Sequence, residues 1–255
     1  MENPPLWPYP RILAHRGGGT LAPENTVAGL RCGMAHGFRA IEFDVMLARD
    51  GVPVVLHDPA LGRTVKGSGS VFEHDACELA RMDAGGWFGP AFTGEPVPLF
   101  TDFAAMCKAQ DVWMNIEIKP APGFDADTGA TVARLTAALF AAQIGAGDVA
   151  RVPLLSSFSA TALAAARQAA PALPRACLLS TLGSDWSAQA EAAGAVAIHT
   201  NHLHLSAALA RAVKARGYAL FCYTVNDPAR AAELLSWGVD AFCTDRIDLI
   251  GPGFA

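Results

Sequence analysis

The chain has 255 residues, 52% of them hydrophobic and 17% charged, which excludes a disordered segment and provides apolar side chains for a full-sized core. With 19 basic and 24 acidic residues its formal charge is −5, the wrong balance for a protein whose main partner is a nucleic-acid backbone, although a phosphate can still bind locally. Cys32, Cys77, Cys107, Cys177, Cys222 and Cys243 form no C-x-x-C pair, which excludes zinc-ribbon and thioredoxin-type sites.

Met1 to Pro10 carry four prolines and no basic-then-apolar leader. Nor does any apolar run reach the ~20 residues of a membrane span, so a soluble, cytoplasmic protein with no membrane partner is expected. The first strand is predicted over Arg11–Gly17, followed by a helix over Thr26–His36. Strands at Ile41–Leu47 and Val52–Asp58 are separated only by Arg49-Asp50-Gly51, too short for a crossover helix. Asp50-Gly51 as a two-residue hairpin loop would set Asp44 opposite His57. Pro53, which donates no hydrogen bond, suits an outer arm. From Pro59 to Asp111 the rhythm breaks, with Gly85-Gly86-Trp87-Phe88-Gly89-Pro90 and then Pro96 and Pro98. This stretch, 59–111, is read as a small inserted subdomain over one end of the fold, with a helix at Asp102–Gln110. Strands then follow at Trp113–Lys119, Pro153–Phe158, Ala176–Ser180, Ala195–Asn201, Leu220–Val225 and Ala241–Thr244. Helices are predicted between them at Thr128–Gln143, Ala160–Ala170, Asp185–Ala193, Ser206–Arg216 and Pro228–Trp237. Ser159, Ser206 and Asp227 stand at N-cap positions, and Gly217 and Gly238 at C-terminal stops. Without the arm there are eight alternating strands, the count of a single (β/α)8 barrel spanning 1–255.

The ionisable residues collect at the ends of the predicted strands. His15-Arg16 end the first, Glu42-x-Asp44 the second, His57-Asp58 the arm, and Glu117-x-Lys119 the next. Residues i and i+2 of a strand share a face, so Glu42 projects with Asp44 and Glu117 with Lys119. Taken alone, Glu42 and Asp44 are equally well explained by salt bridges, and His15 by a satisfied strand-end histidine. Such residues recurring at successive strand ends point instead to a site at the barrel mouth. Three converging carboxylates need a compensating cation, and an all-oxygen set suits Mg²⁺ or Ca²⁺. Arg16 and Lys119 add fixed positive charge for a phosphate, and two histidines can supply a base and an acid. His36, His74, His202 and His204 read as surface or loop residues. His199 follows an apolar run within range of the mouth but has no partner in sequence. Phe158, Trp237 and Phe242 read as core or pocket wall. A dinucleotide-binding reading of Gly17-x-Gly19-x-x-Ala22 fails, because Pro23 would fall inside its helix and Asn25-Thr26 starts a new one.

Ala14-His15-Arg16-Gly17-Gly18, Pro23-Glu24-Asn25-Thr26, Ile41-Glu42-Phe43-Asp44-Val45, Val54-Val55-Leu56-His57-Asp58, Asn115-Ile116-Glu117-Ile118-Lys119 and Tyr223-Thr224-Val225-Asn226 occur in this order along the chain. In this the sequence resembles the glycerophosphodiester phosphodiesterases, closest to the soluble cytoplasmic bacterial enzymes, at every motif position. The resemblance implies metal-dependent hydrolysis of small glycerophosphodiesters to sn-glycerol 3-phosphate and an alcohol. It maps one divalent cation, Mg²⁺ or Ca²⁺, onto Glu42, Asp44 and Glu117. The acid/base pair maps onto His15 and His57, and the phosphate contacts onto Arg16 and Lys119. By similarity to the related phospholipases C, the glycerol 2-hydroxyl attacks phosphorus first, with His15 as base and His57 as acid. The alternative is a phospholipase D-like or phosphatidylinositol-type phosphodiesterase using the same mouth, which needs access to a membrane lipid. A metal-free glycosidase could use Glu42 and Glu117 but would leave the two histidines and Lys119 without a role, and a non-catalytic barrel should have lost at least one of these groups.

Overall fold

The structure, a computed structural model, describes residues 7–255. The leader reading of the first ten residues therefore falls partly on positions 1–6, outside the described residues. In chain order the elements are β1 (Ile12–His15), α1 (Val27–Ala35), β2 (Ala40–Leu47), β3 (Pro53–Val55), α2 (Ala76–Leu79), α3 (Phe100–Ala109), β4 (Trp113–Ile118), α4 (Asp125–Leu139), α5 (Ala141–Gly145), β5 (Leu154–Ser157), α6 (Ala160–Ala169), β6 (Arg175–Leu179), α7 (Trp186–Ala193), β7 (Ala197–Asn201), α8 (Ala207–Ala215), β8 (Ala219–Tyr223), α9 (Pro228–Ser236) and β9 (Ala241–Thr244). All strands except β3 pair in parallel in sequence order, and β1 pairs both β2 and β9. The ring closes as an eight-stranded (β/α)8 barrel. No helix among the described residues is long and apolar enough to cross a membrane.

Local chemistry sets the helix starts. Thr26, Ser159 and Ser206 each accept from the backbone N–H three residues on, and Asp227 accepts from Ala229. The helix expected over Thr128–Gln143 instead begins at Asp125 and is split into α4 and α5 at Phe140, whose ring is buried.

The arm departs from the expected register. Val45, Met46 and Leu47 of β2 face Val55, Val54 and Pro53 of β3. Three residues, Arg49-Asp50-Gly51, make the turn, closed by Ala48 N–H to Val52 O and Gly51 N–H to Ala48 O, both 2.9 Å. A two-residue type I′ loop needs positive φ at both of its residues, and here only Gly51 adopts it (φ +77°). The added loop residue moves the pairing by one, so Leu56 N–H donates to Asp44 O (3.1 Å) and His57 lies beyond that pair. Val45 also pairs with Ile118 of β4, so β3 must take the edge of β2 that β1 occupies lower down.

Among the described residues three apolar clusters hold the fold together. The largest lies between strands and helices and includes Phe43, Phe103, Ile116, Leu163, Leu220 and Phe242. A second fills the barrel where the strands begin. There Ala40, Ala176, Ala197, Ala219 and Ala241 leave room for Trp7, Tyr9 and Trp113. Tyr9 stacks on Trp113 with ring centroids 4.3 Å apart, and Trp7 stands edge-on to both. The third joins Met46, Val54 and Leu56 to Val65, Val71, Leu79 and Val97 of the segment after the arm. Phe100, Phe103 and Cys107 place α3 in the barrel layer rather than in that small cluster.

Candidate active site

The strand ends converge on a cavity of about 250 Å³ at the mouth, lined in part by His15, Arg16, Glu42, His57, Glu117 and Lys119. Carboxylate oxygens of Glu42, Asp44 and Glu117 lie within 4.8 Å of one another. Register explains the meeting, because Asp44 of β2 stands beside Glu117 of β4 and Glu42 beside His15 of β1. Lys119 Nζ is 3.5 Å from Asp44 Oδ1 and 3.6 Å from Glu117 Oε1, and Arg16 Nε is 3.5 Å from Asp44 Oδ2.

Burial and like charge divide the protons among these carboxyls. Burial, with Asp44 and Glu117 nearby, holds Glu42 well above the usual carboxylate range. Burial and the Asp44 charge push Glu117 up to about 7. Burial also raises Asp44, but Arg16, Lys119, His57 and the Asn25 hydrogen bond outweigh it, and Asp44 lies below its ordinary value. Glu42 Oε2 is buried without a hydrogen-bond partner among the described residues. A buried carboxylate set with a free oxygen fits a hard divalent cation, which would discharge the repulsion and take up that oxygen.

The two histidines are built alike. His15 Nδ1 is 2.6 Å from Asp245 Oδ1, and His57 Nδ1 is 2.6 Å from Asp58 Oδ1. An ionised carboxylate only accepts, so Nδ1 donates in both rings and each Nε2 is left as the exchangeable site. His15 Nε2 lies 3.7 Å from Glu42 Oε2. Burial raises Asp245, but the His15 and Asn226 hydrogen bonds overcome it and hold the group below its usual range. Burial likewise opposes the ionisation of Asp58, while bonds from Arg63 and His57 take it down to about 2. Burial lowers His57 itself, and the Arg16 and Lys119 charges act in the same direction.

A layer behind these groups fixes them. Asn25 Nδ2 donates to Asp44 Oδ2 (2.8 Å), and Asp44 N–H donates to Asn25 Oδ1 (3.3 Å). Glu24 accepts from Arg16 (2.7 Å) and from Arg63, and Arg63 also donates to Asp58. The segment after the arm is thereby tied to both sides of the mouth. Gly19 lets the loops after β1 and β9 meet, since a Cβ there would lie 2.1 Å from the Asp245 carbonyl oxygen.

The structure brings together every residue singled out for the site: His15, Arg16, Glu42, Asp44, His57, Glu117 and Lys119. His199 is fully buried in the cavity wall, whereas His36 and His204 are exposed and His74 and His202 half-buried. Phe158 lines the cavity at its rim, and Phe242 lies in the outer core. Sequence reasoning missed Asp245, Asn226, Asn25 and Arg63 as supports. Asp245 and Asn226 follow the ends of β9 and β8, so the strand-end rule that found the others would have flagged them.

A family model described as "Glycerophosphoryl diester phosphodiesterase family" matches residues 15–249. The chain is 32% identical over 247 residues to YhdW of Bacillus subtilis (strain 168), covering 94% of this chain and 96% of that protein. It is 30% identical over 239 residues to the glycerophosphodiester phosphodiesterase of Caldanaerobacter subterraneus subsp. tengcongensis, covering 92% and 93%. Among solved structures it is similar to an Oleispira antarctica phosphodiesterase in complex with the product sn-glycerol-3-phosphate, at a TM-score of 0.83 and 31% identity, covering 94% and 95%.

Proposed function

The chain belongs to the glycerophosphoryl diester phosphodiesterase family and is a glycerophosphodiester phosphodiesterase, and from that premise we propose that it releases sn-glycerol 3-phosphate and an alcohol with one divalent cation, Mg²⁺ or Ca²⁺, held by Glu42, Asp44 and Glu117. The observation that carries the reading is the three-carboxylate cluster, with its unpartnered Glu42 oxygen, set beside Lys119 and Arg16. The product bound in the Oleispira antarctica structure supports the same product here.

Glu42, Asp44 and Glu117 would hold the divalent cation, which would supply positive charge beside the phosphate and make an adjacent substrate hydroxyl more acidic. Arg16 and Lys119 hold the phosphate from the protein side. His15 Nε2 takes the proton of the glycerol 2-hydroxyl as that oxygen attacks phosphorus, while Asp245 fixes the ring and balances its charge. His57 Nε2 gives a proton to the departing alcohol, with Asp58 in the matching role. Water then opens the cyclic phosphate with the two proton transfers reversed.

Turnover of a panel of glycerophosphodiesters with and without EDTA tests the reading. Chelation should abolish activity, and Mg²⁺ or Ca²⁺ should restore it. Full turnover by protein confirmed to be metal-free would overturn the assignment of the cluster.

A further inference from the structure

The cavity has two unlike walls. One is charged and carries the groups described above, whereas the wall from β5 to β8 presents Ser156, Leu178, His199, Phe221 and Tyr223. On this second wall polar atoms stand without partners. Ser156 Oγ and both ring nitrogens of His199 have no hydrogen-bond partner among the described residues, and neither does Asn115 Oδ1 on neighbouring β4. All three residues are buried, at 0%, 0% and 1% exposure, and line the cavity.

Several other interior hydroxyls are satisfied, although Thr200 Oγ1 is also without a partner among the described residues. Ser157, the next residue along β5, donates to Ile118 O at 2.6 Å, and Thr136 donates to Val132 O at 2.8 Å. Leaving a buried polar group unpaired is destabilising. Several such groups around one cavity are the mark of a surface built to meet a ligand. His199 is fixed in plane by Phe221, stacked at 4.4 Å between centroids. Burial holds its ring neutral, with a pKa of about 3, so one nitrogen donates and the other accepts. Either nitrogen can therefore meet a hydroxyl, which both donates and accepts.

We infer that His199, with Ser156 and Asn115, forms a hydroxyl-binding subsite that takes the terminal hydroxyl of the substrate's glyceryl half. The inference rests on the functional reading above, in which the neighbouring 2-hydroxyl is the nucleophile. His199 would then be a specificity-determining residue that tells a glyceryl phosphate from a simple alkyl phosphate.

Calorimetry on the Mg²⁺- or Ca²⁺-loaded protein can test this with sn-glycerol 3-phosphate and its 1-deoxy analogue, 2-hydroxypropyl phosphate. The unsubstituted protein should bind the glyceryl compound at least tenfold more tightly. His199→Phe, which keeps the stack on Phe221, should bring the two affinities within about twofold and leave analogue binding nearly unchanged. Without ligand, His199→Phe and Ser156→Ala should unfold at or above the temperature of the unsubstituted protein, because each removes an unpaired buried polar group. Ser156→Ala adds no volume and should narrow the preference at least threefold. That arm decides the matter if His199→Phe does not fold. Equal binding of both phosphates by the unsubstituted protein, as expected of a wall that only holds water, overturns the inference and leaves the functional reading intact. So does a preference that survives both substitutions. Failure to bind either phosphate or to turn over any glycerophosphodiester overturns the functional reading, and this inference with it.

Discussion

His15 and His57 each present one ring nitrogen to the mouth and the other to an aspartate, so geometry alone does not separate base from acid. Leaving-group chemistry does. General acid or base catalysis contributes about 10²–10⁴-fold per group, and His15→Ala and His57→Ala should each lose at least that much in kcat on a natural diester while still folding. A nitrophenyl ester of glycerol phosphate hardly needs its leaving oxygen protonated. On that substrate His57→Ala should recover much of its rate and His15→Ala should not. Recovery by His15→Ala instead would exchange the roles. Glu117→Gln removes a ligand charge at constant shape, and the expected result is weaker cation binding with an unchanged melting temperature in chelator. Failure of that variant to fold would make Glu117 a structural partner. At this scale the sequence was informative wherever chemistry follows strand alternation. Glu42 with Asp44, and Glu117 with Lys119, share faces by the i, i+2 rule alone. Asn25 and Arg63 were not legible, because their partners Asp44, Asp58 and Glu24 reach them only through the folded loops.

The strand-end loops and the arm turn each depend on a glycine with positive φ, yet the two positions should behave differently. A Cβ at Gly19 would strike the Asp245 carbonyl, whereas one at Gly51 meets nothing within 4 Å among the described residues. Gly19→Ala therefore forces apart the loops after β1 and β9, and with them His15 and Asp245. A loss of about 1–3 kcal/mol in urea unfolding, together with a sharp fall in kcat, is expected. Gly51→Ala should cost only about 1–2 kcal/mol of backbone strain and retain its activity. Equal activity in the two variants would mean that the β1–β9 contact does not hold His15 for catalysis. The existence and type of each barrel strand followed from periodicity and punctuation. The arm's register did not, because Asp-Gly is compatible with loops of two or three residues, and the choice depends on which residues can take positive φ. Asp50 instead keeps negative φ and accepts hydrogen bonds from Val52 and Ala76. The Ala76 bond joins the turn to the segment that follows.

The molecule as a whole carries an acid weakness in its interior. Burial depresses His199 to about 3 from an ordinary 6.5, so below 6.5 the unfolded chain takes up a proton that the folded chain refuses. At His199 the unfolded state binds more protons, so this group's contribution to stability falls as pH drops from about 6.5 towards 3, whereas the raised Glu42 and Glu117 act in the opposite direction. The His199 share is read from the difference in urea midpoint between His199→Phe and the unsubstituted protein, which should widen in the variant's favour from pH 7 to pH 4.5. An unchanged difference would mean that His199 is charged in the fold or hydrated in both states. The aromatic plug has a consequence in time as well as in space. Trp7 and Tyr9 precede every barrel strand in the chain, yet Trp7 packs against Phe221 and both share a cluster with Ala241. The His15–Asp245 bond likewise spans 230 positions of sequence. Contacts of such separation require a long loop to close before they return any stabilisation, which makes them late in folding. The last strand of the barrel to be made therefore closes it below and orients a histidine above, so a chain that stops short of β9 has neither a sealed interior nor a finished site.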